Sequence, residues 1–268
     1  MRGAAFGLRQ SLDTVGAFVG PLVAMGLMLL WANDFRAIFW VAIVPGLLSV
    51  ALLLFGVQEP ERAQEAKGTP RINPISKANL RRLSAPYWRV VAIGGVFTLA
   101  RFSEAFLILR AQQQGLPDTY APLVMVVMNV VYALVAYPIG KLADRMSHMT
   151  LLGAGLVTLV IADLVLAQAQ GLAAVALGLV FWGLHMGMTQ GLLATMVADT
   201  APADLRGTAY GFFNLMSGIA MLVASALAGL LWDRFGASFT FIAGGFFCTL
   251  TLAAIAYFGT KSFHSVNR

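Results

Sequence analysis

The chain has 268 residues, of which 59% are hydrophobic and 11% are charged, and its formal net charge is +6. Soluble domains are roughly 45–50% apolar and about 25% charged, so this composition excludes an ordinary soluble protein and indicates an integral membrane protein. The single cysteine, Cys248, excludes a disulfide within the chain.

Charge-free apolar stretches recur along the chain, and several exceed the roughly 20 residues that a helix needs to span a bilayer. Turn-forming or charged residues separate most of them, as in "QQQGLPD" at 112–118 and "DRFGAS" at 233–238. The joint at 168–172 is the least marked. The sequence therefore predicts an all-α polytopic membrane protein with eight helices at 4–31, 37–56, 88–111, 119–140, 149–168, 172–197, 208–231 and 237–258.

Residues 57–87 differ from these helices because they are polar, basic and contain prolines. A loop is predicted there, and it divides the chain into two helices and then six.

Lysine and arginine are distributed unevenly between the two predicted sides of the membrane. Basic loops stay cytoplasmic, so placing Met1 in the cytoplasm and alternating along the helices assigns fourteen basic residues to that side. Arg101 lies inside the membrane. Both termini are therefore predicted to be cytoplasmic, and the positive charge needs no nucleic-acid partner. The opposite side keeps three basic residues, Arg36, Arg110 and Arg234.

A short phrase occurs twice: "RGAAFG" at 2–7 and "RGTAYG" at 206–211. Weaker similarity continues, with "DFRAIF" at 34–39 matching "RFGASF" at 234–239. The offset of about 200 residues corresponds to six helices with their loops. The chain is therefore predicted to hold the last two helices of one six-helix unit and all six of the next, and repeats of this kind are common in secondary transporters.

These features together resemble the major facilitator superfamily, in which two six-helix bundles are joined by a long cytoplasmic loop. Gly7, Gly16 and the pair Gly20–Pro21 resemble the antiporter motif of helix 5 in that family. "GKLADRM" resembles the loop between helices 8 and 9, with Gly140, Asp144 and Arg145 in place. A fainter copy of that loop motif is formed by Gly229, Asp233, Arg234 and Gly236.

The resemblance implies that the chain corresponds to helices 5–12 of twelve. Residues 1–56 are then the last two helices of the N-terminal bundle, 57–87 the loop between bundles, and 88–268 the C-terminal bundle. The four preceding helices of the N-terminal bundle are the missing partner, and the chain is expected to be a truncated form.

The same resemblance implies a secondary transporter that moves a small organic solute by alternating access, coupled to protons and without a cofactor. A bacterial inner (plasma) membrane is the expected location. The antiporter-type motif favours export, although Ala24 and Met25 stand where the family has a glycine pair. Asp144 is expected to latch one conformation against the start of the first helix.

Ionisable side chains at bilayer depth are costly and mark candidate functional sites. Arg101 lies twelve residues from Arg89, which places it about 18 Å into a core roughly 30 Å thick. Glu104 follows three positions later, on the same face of a continuous helix. Glu104 is predicted to be a proton carrier or a substrate counter-ion, and a structural ion pair with Arg101 is the alternative.

Other candidates are more scattered. Arg9 and Asp13 are four residues apart in the first helix, where they either line the cavity or pair with each other. Asp163 is expected near the external end of its helix, wetted from outside. His185 suits a proton relay or a packing role. The neutral polar candidates for substrate binding or interhelical hydrogen bonding are Asn129, Gln190, Tyr132 and Asn214.

Glycines at a spacing of four are expected to allow close helix contacts, as at Gly3 and Gly7 and at Gly207 and Gly211. Packing is likewise the expected role of Gly16 and Gly20. Prolines within the spans, including Pro21, are expected to bend helices.

Two alternatives to an active transporter stay open on the sequence. A membrane-embedded enzyme needs clustered acidic or histidine ligands, and the spans show only scattered single residues, so no metal site is predicted. An inactive fragment is the second alternative, because the family's substrate cavity lies between the two bundles.

Overall fold

The structure is a computed structural model that describes the backbone of residues 2–32, 34–56, 77–143 and 146–266. Side chains are described for 15–32, 34–56, 79–142 and 146–256. The described chain is almost entirely α-helical, which confirms the predicted fold class. Seven of its helical segments are long and apolar enough to cross a membrane, and Val15–Leu30 is a shorter apolar helix.

The helices follow one another with short connections. In chain order they are α1 (Arg2–Leu30), α2 (Phe35–Gly56), α3 (Lys77–Arg81), α4 (Ala85–Ala100), α5 (Ala105–Gln113), α6 (Pro122–Ala143), α7 (His148–Ala167), α8 (Leu172–Thr200), α9 (Arg206–Phe235) and α10 (Ala237–Val266). Single 3₁₀ turns at Asp118–Tyr120 and Ala203–Leu205 precede α6 and α9.

Local sequence explains where several helices begin and end. The side chains of Ser84 and Ser147 accept hydrogen bonds from backbone N–H groups in the first turns of α4 and α7. Gly171 and Gly236 precede α8 and α10 with φ of 85° and 87°, a region that glycine occupies without steric strain. The weakly marked joint at 168–172 is therefore a true turn.

Most helix ends shift by a few residues from the sequence prediction, and two differences change the number of helices. The polar segment predicted as a loop contains the short helix α3, and α4 begins at Ala85. The single helix predicted at 88–111 is two helices, α4 and α5, because residues 101–103 leave the helical conformation.

The core lies among α4 to α10, with α7 and α8 at its centre. The side chains of Leu152, Leu156, Leu159 and Trp182 are completely buried between these helices. By contrast, α2 has no buried residue and packs mainly against α1, which in turn packs against α6. The bundle α4–α10 therefore forms one packed unit, on whose edge α1 lies.

Glycines bring α6, α7 and α8 into close contact. A Cβ atom on Gly183 would lie 2.6 Å from the carbonyl oxygen of Met128, and one on Gly187 would lie 2.8 Å from Val135. Neither site has room for a side chain, and this four-residue spacing is the small-residue pattern of close helix pairs in membranes.

The glycines singled out from the sequence lie elsewhere. Within the described residues, no atom lies within 4 Å of a Cβ built on Gly16, Gly20, Gly207 or Gly211. The close packing predicted for them is not found there, because the tight contacts of α8 are made by Gly183 and Gly187. Pro21, Pro45 and Pro138 do lie inside helices. Gly7 has no described side-chain surroundings.

Arg110 closes the end of α7. Its guanidinium donates hydrogen bonds to the carbonyl oxygens of Leu166, Ala167 and Ala169 at 2.9, 3.2 and 3.1 Å, and the side chain is 8% exposed. The last carbonyls of a helix have no partner within the helix and carry partial negative charge. The carbonyl groups at the end of α7 therefore stabilise the buried Arg110 cation, and the role of this side chain is structural.

We expect Arg110→Met to lower the free energy of unfolding by about 2–3 kcal/mol, because charged hydrogen bonds to otherwise unpaired carbonyls are lost. Thermal and denaturant unfolding in detergent, followed by circular dichroism, measures the change. Arg234→Met is the matched control, since Arg234 is exposed in the last turn of α9. Similar effects of the two substitutions would contradict the capping role.

Candidate functional site

The most distinctive site in the bundle is the break between α4 and α5. Arg101 ends α4 with φ −107° and ψ 90°, an extended conformation, and Glu104 resumes the helical conformation before α5. The prediction that Arg101 and Glu104 occupy one face of a continuous helix is therefore wrong. The sequence offers no proline or glycine in this segment to signal the break.

Hydrogen bonds compensate for the helical bonds lost at the break. The N–H of Arg101 donates to the carbonyl of Thr98 at 3.0 Å, and the N–H of Ser103 donates to Oγ of Ser225 on α9 at 3.2 Å. The Oγ of Ser103 in turn accepts from the N–H of Ala105 at 3.3 Å. Ser103 was the available sequence signal, because serine commonly caps the start of a helix.

Phe102 anchors the break in the core. Its side chain is 4% exposed, and its ring centroid lies 5.5–5.6 Å from those of Phe106, Trp182 and Phe241. These rings belong to α5, α8 and α10, and such contacts contribute beyond simple area burial. A movement of the break is therefore transmitted directly to α8 and α10.

Arg101 and Glu104 are not joined in an ion pair within 4.0 Å; in the described part of the chain such pairs are Arg82–Asp204 and His148–Asp199. The guanidinium carbon of Arg101 lies 5.8 Å from the ring centroid of Phe97, and its buried Nε has no hydrogen-bond partner. Glu104 is half-buried. Two opposite charges therefore lie at the break, and the Nε donor of Arg101 has no hydrogen-bond partner among the described residues.

His185 of α8 lies near the same aromatic ring, Phe97, as Arg101 does. Its Nδ1 is 3.0 Å from the carbonyl oxygen of Gly155, so Nδ1 carries the proton and donates to that oxygen. The ring is completely buried, 5.6 Å from Phe97, and it interacts electrostatically with Arg101. Its Nε2 and the indole N–H of Trp182 have no partner. The structure thus brings Arg101 and His185 together, with Trp182 as a member that the sequence did not identify.

Other predicted residues lie away from the break. Asn129 donates to the carbonyl of Met125 in its own helix, at 2.9 Å. Gln190 and Tyr132 line a cavity of about 320 Å³ between α6 and α8, together with Gly140 and His148. Asn214 is exposed on α9.

Asp163 corrects another expectation. It was predicted to be wetted from outside, but its side chain is completely buried between α7 and α10. The glycines of α10 allow that helix to approach closely enough to cover it.

Several predicted residues fall outside the described residues. Asp144 and Arg145 of the predicted switch loop lie there, as do the side chains of Arg9 and Asp13. Their proposed roles stay predictions.

The family comparison agrees with the helical architecture. The sequence model of the Major Facilitator Superfamily matches residues 1–225. Among curated proteins, an uncharacterized MFS-type transporter of Methanocaldococcus jannaschii is 28% identical over 249 residues, which cover 90% of this chain and 60% of that protein. An uncharacterized protein of Mycobacterium tuberculosis is 29% identical over 235 residues, covering 87% of this chain and 57% of its own length. The chain thus spans about 60% of the length of these relatives.

The fold is also found in a solved transporter. A crystal structure of the fucose:proton symporter FucP of E. coli matches with a TM-score of 0.60 and 16% identity, covering 84% of this chain and 57% of that one. FucP in the outward conformation gives a TM-score of 0.59. At this identity the similarity concerns the fold alone.

We expect Ser225→Ala to lower the free energy of unfolding by about 1–3 kcal/mol, because the N–H of Ser103 loses its acceptor in a partly buried site. Ser217→Ala, two turns earlier on the same helix, is the matched control and should change it by less than about 0.5 kcal/mol. Thermal unfolding in detergent measures both. If Ser225→Ala has no more effect than the control, the cross-helix hydrogen bond does not hold the break.

Proposed function

This chain belongs to the major facilitator superfamily, and we propose that, together with four complementary N-terminal helices, it moves a small organic solute across a membrane by secondary active transport coupled to protons. The family assignment rests on the match over residues 1–225, and it supports a transporter over an enzyme. The class of solute, the coupling ion and the direction of transport are proposals.

The observation that carries the proposal is the broken helix with Arg101 and Glu104 at its ends. Irregular backbone within a membrane is tolerated where it lies in protein or lines an aqueous cavity, and transporters use such breaks to bind substrates and ions. The buried Arg101 Nε has no partner, so the break retains capacity to bind a solute. This geometry favours a transport site over a structural ion pair.

Glu104 is the proposed proton carrier. Its carboxylate is half-buried and carries no ion pair shorter than 4.0 Å among the described residues, so a proton can reach it and leave it. The charge of Arg101 acts on Glu104, so a movement of the break that separates the two residues would change the proton affinity of Glu104. FucP, whose fold is similar, is described as a proton symporter, which supports coupling of this type.

The direction of transport has two versions. The antiporter-type spacing of Gly7, Gly16 and Gly20–Pro21 favours export in exchange for protons. FucP is described as a symporter, so the shared fold does not by itself set the direction. We propose export, to be tested by the sign of the solute gradient that an imposed pH gradient produces.

The proposed site needs a second bundle to form a closed pathway. The described residues of α2 expose Phe39, Trp40 and Phe55 by 72%, 73% and 87%, and none of α2 is buried. Such surfaces are covered by lipid or by protein. Since the relatives are longer, we propose that transport requires the four complementary N-terminal helices, and that the 268 residues alone are inactive.

We expect Glu104→Gln, placed in the longest natural form of the protein, to abolish solute transport driven by a pH gradient while solute exchange at equal pH persists. The amide keeps the shape of the side chain but cannot carry a proton. Proteoliposomes with a pH-sensitive dye inside report proton movement, using the solute that the wild type transports in a screen of sugars, carboxylates and amines.

Asp118→Asn provides the matched acid-to-amide control, because Asp118 is exposed in the turn before α6. It should leave both activities unchanged. Wild-type rates of gradient-driven transport in Glu104→Gln would remove Glu104 from the coupling mechanism.

A further inference from the structure

Asp163 is a carboxyl group that the proposed transport site does not use. It lies on α7, its side chain is 0% exposed, and neither carboxyl oxygen has a hydrogen-bond partner among the residues that the structure describes. A Cβ on Gly244 of α10 would lie 2.8 Å from its Oδ2, and one on Gly245 would lie 3.8 Å from its Cβ. The two glycines therefore form the space in which this carboxyl fits.

Burial on this scale selects the uncharged form of the group. An isolated carboxylate transferred into an apolar interior is far less stable than the neutral acid, unless a cation or several donors surround it. The guanidinium of Arg110, on α5, donates its hydrogen bonds to carbonyl groups at the end of α7 and not to Asp163. No described residue forms an ion pair that would neutralise a carboxylate at Asp163. The carboxyl group is therefore suited to binding a proton.

The other titratable groups packed around α7 do not pair with Asp163. On α10 the neighbouring group is the Cys248 thiol, which interacts with Asp163 electrostatically and is itself buried. On α8 the titratable group is His185, which is hydrogen-bonded to Gly155, two turns before Asp163 on α7. His148, at the start of α7, interacts with Asp199, near the end of α8.

A metal cation fits this position poorly. Ca²⁺ and Mg²⁺ take about six or more oxygen ligands in proteins. Among the described residues there is no cluster of three acidic, histidine or cysteine side chains that could hold a metal ion, and the carboxyl lies against the glycines of α10.

Phe102 connects this carboxyl to the helix break. A Cβ atom on Gly244, which would lie 2.8 Å from Oδ2 of Asp163, would also lie 3.0 Å from Cε1 of Phe102. Phe102 and Gly244 both line a cavity of about 230 Å³ between α4, α9 and α10. The aromatic ring thus lies where the cavity approaches the carboxyl, and it directly follows Arg101 in the break.

We propose that Asp163 is an occluded proton-binding site, and that Phe102 controls its exchange with water at the helix break. The carboxylate takes one proton from a hydronium ion, releasing water, and returns it by the reverse reaction when Phe102 moves. Its use in coupling rests on the proposed function, because movement of the break during transport would then open this site. The proton site itself does not depend on any transported solute.

Infrared spectroscopy of the purified chain in lipid nanodiscs tests the proposal directly. At neutral pH, the difference spectrum between wild type and Asp163→Asn should contain the carbonyl stretch of one protonated carboxylic acid. The same band should persist in Glu104→Gln. Loss of the band in Glu104→Gln alone, or no band difference for Asp163→Asn, would overturn the assignment to Asp163.

Transfer into D₂O tests the control by Phe102. The band shifts when the acid proton is replaced by deuterium, and in Phe102→Leu this shift should be at least about tenfold faster than in wild type, since exchange requires local opening. Phe246→Leu is the matched control, because Phe246 is 57% exposed on α10, and it should exchange at the wild-type rate. Equal rates in all three proteins would overturn the role of Phe102.

Added Na⁺ distinguishes a cation site from a proton site. The band should be insensitive to replacement of K⁺ by Na⁺, and its disappearance in Na⁺ would overturn the proposal. These spectroscopic measurements do not require transport. Their failure would overturn the proton site at Asp163, whereas wild-type transport by Glu104→Gln would overturn only the proposed function.

Discussion

Inside a bilayer, every backbone N–H and C=O group needs a partner within the protein, and this requirement shapes the whole chain. Long helices meet it by themselves. Where α4 gives way to α5, it is met by the hydrogen bond from the N–H of Ser103 to Ser225 on α9. The irregular backbone at Arg101 is therefore possible because α9 supplies an acceptor at that depth.

The same constraint separates the charged side chains into two groups. Arg110 is buried, but three carbonyls at the end of α7 surround its guanidinium, so its charge is used entirely in the fold. Arg101 and Asp163 are surrounded mainly by apolar side chains and keep unpartnered polar atoms. Such groups are unfavourable for stability alone, and this cost is the reason that we propose binding and proton transfer as their roles.

Much of the architecture could be predicted from the sequence because apolar length and turn residues determine where helices cross a bilayer. The turn at 168–171 was found in this way, as were the end of α2 and the start of α10. The break at Arg101 was missed, because no proline or glycine occurs in it, Ser103 is its one local signal, and the acceptor Ser225 lies 122 residues from Ser103. Residue depth was equally misleading for Asp163, since its burial depends on Gly244 and Gly245 of α10.

Close packing explains how a local change at the break can have distant effects. Phe102 contacts rings on α5, α8 and α10, and interiors packed at this density move as discrete units and do not deform continuously. Phe102 directly follows Arg101 and lies beside the glycine that covers Asp163. In the proposed mechanism, solute binding at the break and proton exchange at α7 are therefore linked by two neighbouring residues of one non-helical segment, without a longer chain of contacts.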